Sequence, residues 1–247
     1  MGKLVVQSLW VGDRLSRMEY YSIKSFLNVG EAINDLIGRN EDIPNQIALN
    51  HSETVVERYK LIPEGGRLPP PEDLPETIRR KNFGSTYIRL DRSKKSMTLV
   101  PGNNAFPVHP ELNRSITPRE AARIQSFPDD HIFVGNRRKQ CILVGNAVPP
   151  LLAANIAKSV KHHLLEETKP KDKKDLFVSS SEIQIKPLSQ SFLNATKNSN
   201  QESDFNFVDL FCGAGGITVG LSKAGFFPLL SSDFNKEVQE THIKNFP

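Results

Sequence analysis

Apolar positions along this chain fall into short periodic runs separated by polar or proline-rich stretches. Lys3–Trp10 reads as a short strand and Arg14–Phe26 as a helix, although runs this short do not separate the two by periodicity. Glu31–Ile37 and Glu53–Leu61 predict short helices. The surrounding stretch, through residue 82, reads as irregular, because Gly65-Gly66 and Pro69-Pro70-Pro71 forbid a long regular element. From Ser85 to Val100, the alternation in TYIRLD and the β-rich MTLV predict two strands joined by the turn Arg92–Lys95. Thr117 then opens a helix as its cap, with Pro118 in the first turn and Glu120 closing a capping box; Phe127-Pro128-Asp129-Asp130 ends it. Asn146–Pro150 turn into a helix whose Leu151, Leu152, Ile156, Val160 and Leu164 trace an apolar stripe. Further on, FNFVDLF predicts a strand, GAGG a turn, Ile217–Ala224 a helix with Gly225 at its C-cap, and PLLSS a second strand ending at Asp233.

Residues 167–204 differ in kind. KPKDKKD, SSSE and NATKNSNQESD are polar and aperiodic, the composition of a flexible linker. As a coil, that stretch spans roughly 30–40 Å. With 247 residues, 38% of them apolar, and 17 prolines beside 15 glycines, the chain allows one large or two modest domains with sizeable loops.

Net charge is only +4, but the basic residues cluster at Arg79–Lys81, at Arg89, Arg92, Lys94 and Lys95, and at Arg137–Lys139. Such clusters suit a phosphate backbone; a solvated loop face explains them equally well. The two cysteines, Cys141 and Cys212, have neither metal spacing nor a disulfide framework, so no metal is expected and a reducing cytoplasm fits them best. Neither a run of about 18 apolar residues nor a signal peptide is evident, so neither membrane nor export is supported.

The glycine turn carries the clearest chemistry. Glycines between a strand and a helix let main chain approach a ligand closely and aim helix-start N–H groups at it. A carboxylate at the tip of the next parallel strand, here Asp233, sits where a nucleotide ribose finds its acceptor. Gly213-Ala214-Gly215-Gly216 alone is shared by many nucleotide folds, and tight-turn packing explains it too.

DLFCGAGG, GLSKAGF and SSDFNKEVQETHIKNFP together resemble the first two motifs of the DNA cytosine-5 methyltransferases. The resemblance implies S-adenosylmethionine as cofactor. Phe211 would pack on the adenine, the Gly213–Gly216 main chain, with Ala214 within it, would surround the methionine moiety, Asp233 would hold the ribose hydroxyls, and Phe234 would cover the adenine's other side. Cys212 occupies a position that is commonly a small residue in that family, and packing is its expected role, as for Cys141.

Upstream, NHSETVVERYKLIPEGG, STYIRLDRSKKSMTLVPGNNAFPVHPELNRSITPREAARIQSFPDDHIF and VGNAVPPLLA resemble the last third of the same family, across roughly residues 31–165. ITPREAARIQSFPD resembles the ninth motif and Gly145–Pro149 the tenth, although Leu143 stands where members often carry a polar residue. By that resemblance Asn146, with the main chain at Ala147 and Val148, would lie against the methionine end of the cofactor. Arg119 and Arg123, four apart on one helix face, would brace the DNA-recognition region; as plain surface charges they need no such role. Arg89, Arg92, Lys94 and Lys95 would face DNA.

The motif order is the reverse of the usual one, the pattern of a circular permutation. The Pro-Cys pair that supplies the nucleophile, the Glu-Asn-Val element that supplies a carboxylate and the Gln-x-Arg-x-Arg element do not occur in these 247 residues. No catalytic residue is therefore assigned. The expected fold class is α/β, a partial Rossmann-like methyltransferase domain plus a small, loop-rich domain with short strands. Residues 1–30 stay unassigned, with a faint resemblance to the opening of some bacterial glycosyltransferases. Residues 31–166 form the DNA-facing region, 167–204 the linker and 205–247 the start of the cofactor domain. The leading reading is part of a bacterial, cytoplasmic methyltransferase of a restriction-modification system, acting on double-stranded DNA and completed by a second polypeptide, or else a truncated product. A noncatalytic DNA-binding or regulatory remnant is the alternative. Two strands alone leave an open edge, so the carboxyl-terminal piece is expected to order only against a partner or against the helix at Leu151–Leu165.

Overall fold

A computed structural model describes residues 28–39, 43–79, 87–100, 106–167 and 205–246. The elements expected at Lys3–Trp10 and Arg14–Phe26 lie outside the described residues, as does the linker expected over 167–204 except for Glu167, which is helical.

Helix α1 (Val29–Ile33) is set by a capping box, in which Asn28 accepts from the Glu31 N–H while the Glu31 carboxylate accepts from the Asn28 N–H. Helix α2 covers Glu53–Lys60. Helix α3 (Pro118–Ile124) starts on the predicted box: the Thr117 hydroxyl accepts from the Glu120 N–H at 3.0 Å and Glu120 accepts from the Thr117 N–H at 2.8 Å. Ser126, in the left-handed region at φ 68°, turns the chain out of it. Asn136 caps α4 (Arg137–Asn146), which takes in Asn146, the first residue of the turn expected at Asn146–Pro150, and stops at Ala147, where the approach to Pro149-Pro150 forces extended backbone. Pro150 opens α5 (Pro150–Glu167). By length and composition the stretch 137–165 is apolar enough to cross a membrane. It is two helices, however, and one face of the second is buried on another helix.

The two strands expected over Ser85–Val100 are not formed among the described residues. Single bridges replace them, Ile88 to Arg67, Arg89 to Val108 and Val108 to Ser115. The alternation in TYIRLD is satisfied by loop packing, with Leu90 and Leu99 in the core.

The second half holds β1 (Asn206–Leu210), α6 (Gly216–Lys223), β2 (Phe227–Ser232) and α7 (Lys236–Asn245). β1 and β2 pair in parallel, Val208 opposite Leu230, with a register irregularity after Phe207. The protein is thus mixed α/β with a two-stranded parallel sheet. Among the described residues each strand has one neighbour only.

The carboxyl-terminal piece is ordered by α5, as one of the two expected routes allows. Ala153, Ala154 and Ala157 are buried on α5, and Gly220 of α6 comes so close that an added Cβ would meet the Pro150 oxygen at 2.6 Å and the Ala154 nitrogen at 2.8 Å. Small residues on both helices permit this approach. Leu152, Ile156 and Val160, on a neighbouring face of α5, stay exposed. Across the chain one hydrophobic cluster gathers Ile33, Leu36, Phe106, Ile116, Phe127, Phe133 and Val144 with Cys212, Ala214 and Val238. The regions before and after the linker therefore share a core. α7 adds to that union: Asn245 exchanges two 2.8 Å hydrogen bonds with the Ile132 main chain, and Thr241 accepts from the Val134 N–H.

Candidate functional site

The glycine turn follows β1. Its geometry demands glycine: Gly213 and Gly215 have φ of 54° and 84°, which side chains with a Cβ disfavour. Phe211 adopts φ 59° without being glycine, strain of the kind that collects at functional sites. The turn is tied to β2 through the Cys212 N–H, which donates to the Ser232 oxygen at 3.0 Å.

Asp233 follows β2, and its carboxylate is held at both oxygens. One accepts from the Gly213 N–H at 3.2 Å and the other from the Asn235 N–H at 2.9 Å. Two aromatic rings flank it in solvent, Phe211 at 78% exposure and Phe234 at 88%. Leu210, Phe211, Ser232, Asp233 and Phe234 line a cleft of about 210 Å³. Exposed aromatic faces beside a fixed carboxylate suit a flat, hydroxyl-bearing ligand such as a nucleoside. A larger hollow of about 520 Å³ lies elsewhere, against Pro128, Val219 and Phe246.

The tenth-motif segment reaches the same turn. A Cβ on Gly216 would strike the carbonyl oxygen of Val148, with the carbonyl carbon 3.1 Å away and the Phe127 ring at 3.2 Å. Ala147 packs against the core, while Asn146 and Val148 are exposed beside it. Gly213–Gly216, Asp233, Phe211 and Phe234 thus form one neighbourhood, and Val148 enters it through its main chain.

Neither cysteine is poised as a nucleophile. Burial, with Asp209 and Asp233 nearby, pushes the Cys212 thiol up to about 11, and burial raises Cys141 too. Both are protonated at neutral pH, which fits packing. Asp209 is buried and accepts from the Thr218 hydroxyl at 2.6 Å, pinning the first turn of α6 to β1.

The arginines need correction. Arg89 was expected to face DNA, but it is buried, and its guanidinium donates to the oxygens of Tyr59, Ile62, His109 and Leu112 and to the Asn113 side chain. It fastens three loops together and has no surface to offer a phosphate. Arg119 is likewise buried, donating to Pro44, Pro128 and His131 oxygens above the Phe133 ring. It braces from inside rather than contacting DNA. Arg123 is partly exposed but committed to Asp129, Asp35 and the Ala32 oxygen. Arg92 is exposed and paired with Glu64 and Glu111, and Lys94 with Asp91. Arg92, Lys94 and Lys95 are thus the basic side chains of this turn that project into solvent, Arg92 and Lys94 each beside a carboxylate.

Sequence reasoning missed α7 and His131. The helix signal was present, an Asn235 cap followed by Val238, Thr241 and His242 at helical spacing. His131 carried none, since a lone histidine beside a phenylalanine is an ordinary core pattern.

A model of the C-5 cytosine-specific DNA methylase family matches residues 13–162 and 205–247. The Type II methyltransferase M1.HphI of Haemophilus parahaemolyticus is 41% identical over 137 residues, which cover 53% of this chain and 36% of that protein. M.AquIB of Picosynechococcus is 36% identical over 139 residues, covering 52% and 94% respectively. M.DdeI of Desulfomicrobium norvegicum is 30% identical over 183 residues, covering 66% and 42%. The match spans less than half of M1.HphI and M.DdeI, and nearly all of M.AquIB.

Proposed function

The chain belongs to the C-5 cytosine-specific DNA methylases, and we propose that it is one part of an enzyme transferring methyl from S-adenosylmethionine to cytosine carbon 5 in double-stranded DNA, within a bacterial, cytoplasmic restriction-modification system. The observation that carries this reading is the seat of Gly216 on Val148. Two segments 68 positions apart in sequence, from the motifs expected to share a cofactor pocket, converge there although the chain presents them in reversed order.

In this reading residues 31–166 are the DNA-facing region, with the arginines Arg89 and Arg119 as its internal ties and Lys94 and Lys95 toward phosphate. Residues 205–247 begin a Rossmann-like cofactor domain. The cleft residues fit the cofactor. Phe211 and Phe234 offer ring faces for the adenine, Asp233 offers carboxylate lone pairs to the ribose hydroxyls, and its two N–H donors fix it in place. In this reading the Gly213–Gly216 main chain would surround the methionine portion, with Asn146, Ala147 and Val148 closing that end. S-adenosylmethionine, when bound, supplies an electrophilic methyl group. The chain's own contribution is to hold that group at the sheet's edge and exclude water from one side.

A cytosine in duplex DNA must be extruded to be reached, and attack at carbon 6 needs a thiolate. With Cys141 and Cys212 buried and protonated, we assign that thiolate to a Pro-Cys segment outside these 247 residues. The outer edges of β1 and β2, which have no neighbour among the described residues, and the exposed Leu152, Ile156 and Val160 on α5, support a completing partner.

The test uses labelled S-adenosylmethionine and double-stranded DNA. The purified chain alone is expected to transfer no methyl group; together with the polypeptide encoded beside it, if that carries Pro-Cys and Glu-Asn-Val segments, it is expected to modify cytosine at carbon 5. Transfer by the chain alone overturns the split arrangement, and absence of transfer by the pair overturns the methyltransferase reading.

A further inference from the structure

The glycine turn carries a single buried methyl, that of Ala214, and its central peptide is held at both ends, once within the turn and once by a distant residue. The Gly215 N–H donates to the Cys212 oxygen at 2.9 Å. At the other end of the same peptide, the Ala214 oxygen lies 2.8 Å from Nε2 of His131, 83 positions upstream. A carbonyl only accepts, so Nε2 bears the proton. Because the C=O and N–H of a trans peptide point in opposite directions, the two contacts together fix the plane against rotation.

His131 is itself fixed. It is 3% exposed, and its ring lies between those of Phe127, Phe133 and Phe246 at centroid distances of 4.8, 5.0 and 6.1 Å. Its main-chain oxygen accepts from Arg119 of α3, and its N–H donates to the Pro128 oxygen. A rigid line thus runs from α3 through His131 to the turn.

We propose that His131 is a positioning residue for the cofactor: its Nε2–H locks the Ala214–Gly215 peptide in the orientation that presents Gly213–Gly216 to S-adenosylmethionine. This rests on reading that turn as the cofactor loop. The lock supplies what the glycines lack, a restraint on a peptide whose neighbour Gly215, at φ 84°, is free to adopt several conformations. It also makes the turn's shape depend on the region that carries α3.

Amide hydrogen exchange on the full chain tests the lock. His131→Phe keeps a ring and removes the donor, and His131→Gln returns an N–H near the place of Nε2. Exchange at Gly215 is expected to quicken by about tenfold in the Phe variant, the size of one lost hydrogen bond, with α4 unchanged and the Gln variant close to wild type. Unchanged exchange at Gly215, a Gln variant as fast as Phe, or an equal rise throughout the protein overturns the proposal. Should the Phe variant not fold, Gln is compared with His131→Asn, whose shorter amide cannot reach Ala214; equal exchange in that pair overturns it as well. S-adenosylhomocysteine added to the completed enzyme separates the two claims. Protection of the loop by the ligand that is undiminished in the Phe variant overturns the positioning role, whereas a locked loop that the ligand never protects overturns the cofactor reading alone.

Discussion

The carbonyl oxygen of Val148 stands where any side chain on Gly216 would begin. This contact joins the turn between α4 and α5 to the start of α6 at main-chain level, so neither partner can give way by changing a rotamer. It places the tenth-motif turn against the glycine turn without any help from sequence proximity.

Gly216→Ala is therefore expected to push the two turns apart. Alanine gains roughly 1 kcal/mol of helix propensity over glycine, and overpacking against main chain costs about 1–3 kcal/mol. Urea unfolding should show a net loss of up to about 2 kcal/mol, and a completed enzyme should lose cofactor affinity. Equal stability and affinity would mean that Val148 moves freely.

Acid should unfold the protein through its buried histidines. Burial holds His109 and His131 down to about 4, against 6.5 when exposed. His109 Nδ1 accepts from the Glu111 and Leu112 N–H groups, a role that protonation ends. Between pH 4 and 6.5 the unfolded chain binds more protons than the folded one, so stability is complete above about 6.5 and lost as pH falls toward 4. Each histidine accounts for roughly 3 kcal/mol at most. Urea midpoints measured from pH 7.5 to 4.5 check this, and His131→Gln should make the slope shallower.

Arg89 and the pair Lys94 and Lys95 should separate fold from DNA binding. Arg89→Ala strands several buried carbonyls and should cost about 3–5 kcal/mol. The double change Lys94→Ala and Lys95→Ala should leave the urea midpoint unchanged. It should weaken DNA binding and flatten its salt dependence, by about one or two units in the log–log slope. Fluorescence anisotropy at several salt concentrations distinguishes the two.

How much of this was legible depends on how local each signal is. The α3 capping box sits within Thr117–Glu120 and was readable, as was the strand-turn-helix around Gly213–Gly216. Arg89 was misread because its five acceptors, at the end of α2, at Ile62 and over His109–Asn113, lie 20 to 30 positions away, and a charged side chain reads as surface unless those segments are known to surround it. The strands expected over 85–100 failed for a related reason. Alternation specifies which residues are buried, but among the described residues only single bridges, and no neighbouring strand, meet that pattern.

Shortening the segment 168–204 to about 12 Gly/Ser residues should change stability by less than about 1 kcal/mol. Lys161 of α5 already stands 5.6 Å from the Phe205 ring centre, and its Nζ reaches toward the Ala224 oxygen, so the flanks of the segment are neighbours. α5 runs on about 9 Å past Lys161, and 12 flexible residues span roughly 17–21 Å. A loss of several kcal/mol in urea unfolding would show that the segment itself contributes to the fold.

The shared hydrophobic cluster also sets a timetable for biosynthesis. Ile33, Phe106, Ile116 and Phe133 leave the ribosome long before Cys212, Ala214 and Val238, the residues that close their cluster. His131 waits 83 positions for Ala214, and Ile132 waits 113 for Asn245. At about 5–20 residues per second the nascent chain spends several seconds with its interior unfinished. Translation pauses within 168–204 and chaperone occupancy at that stage should therefore govern yield more strongly than changes on the finished surface.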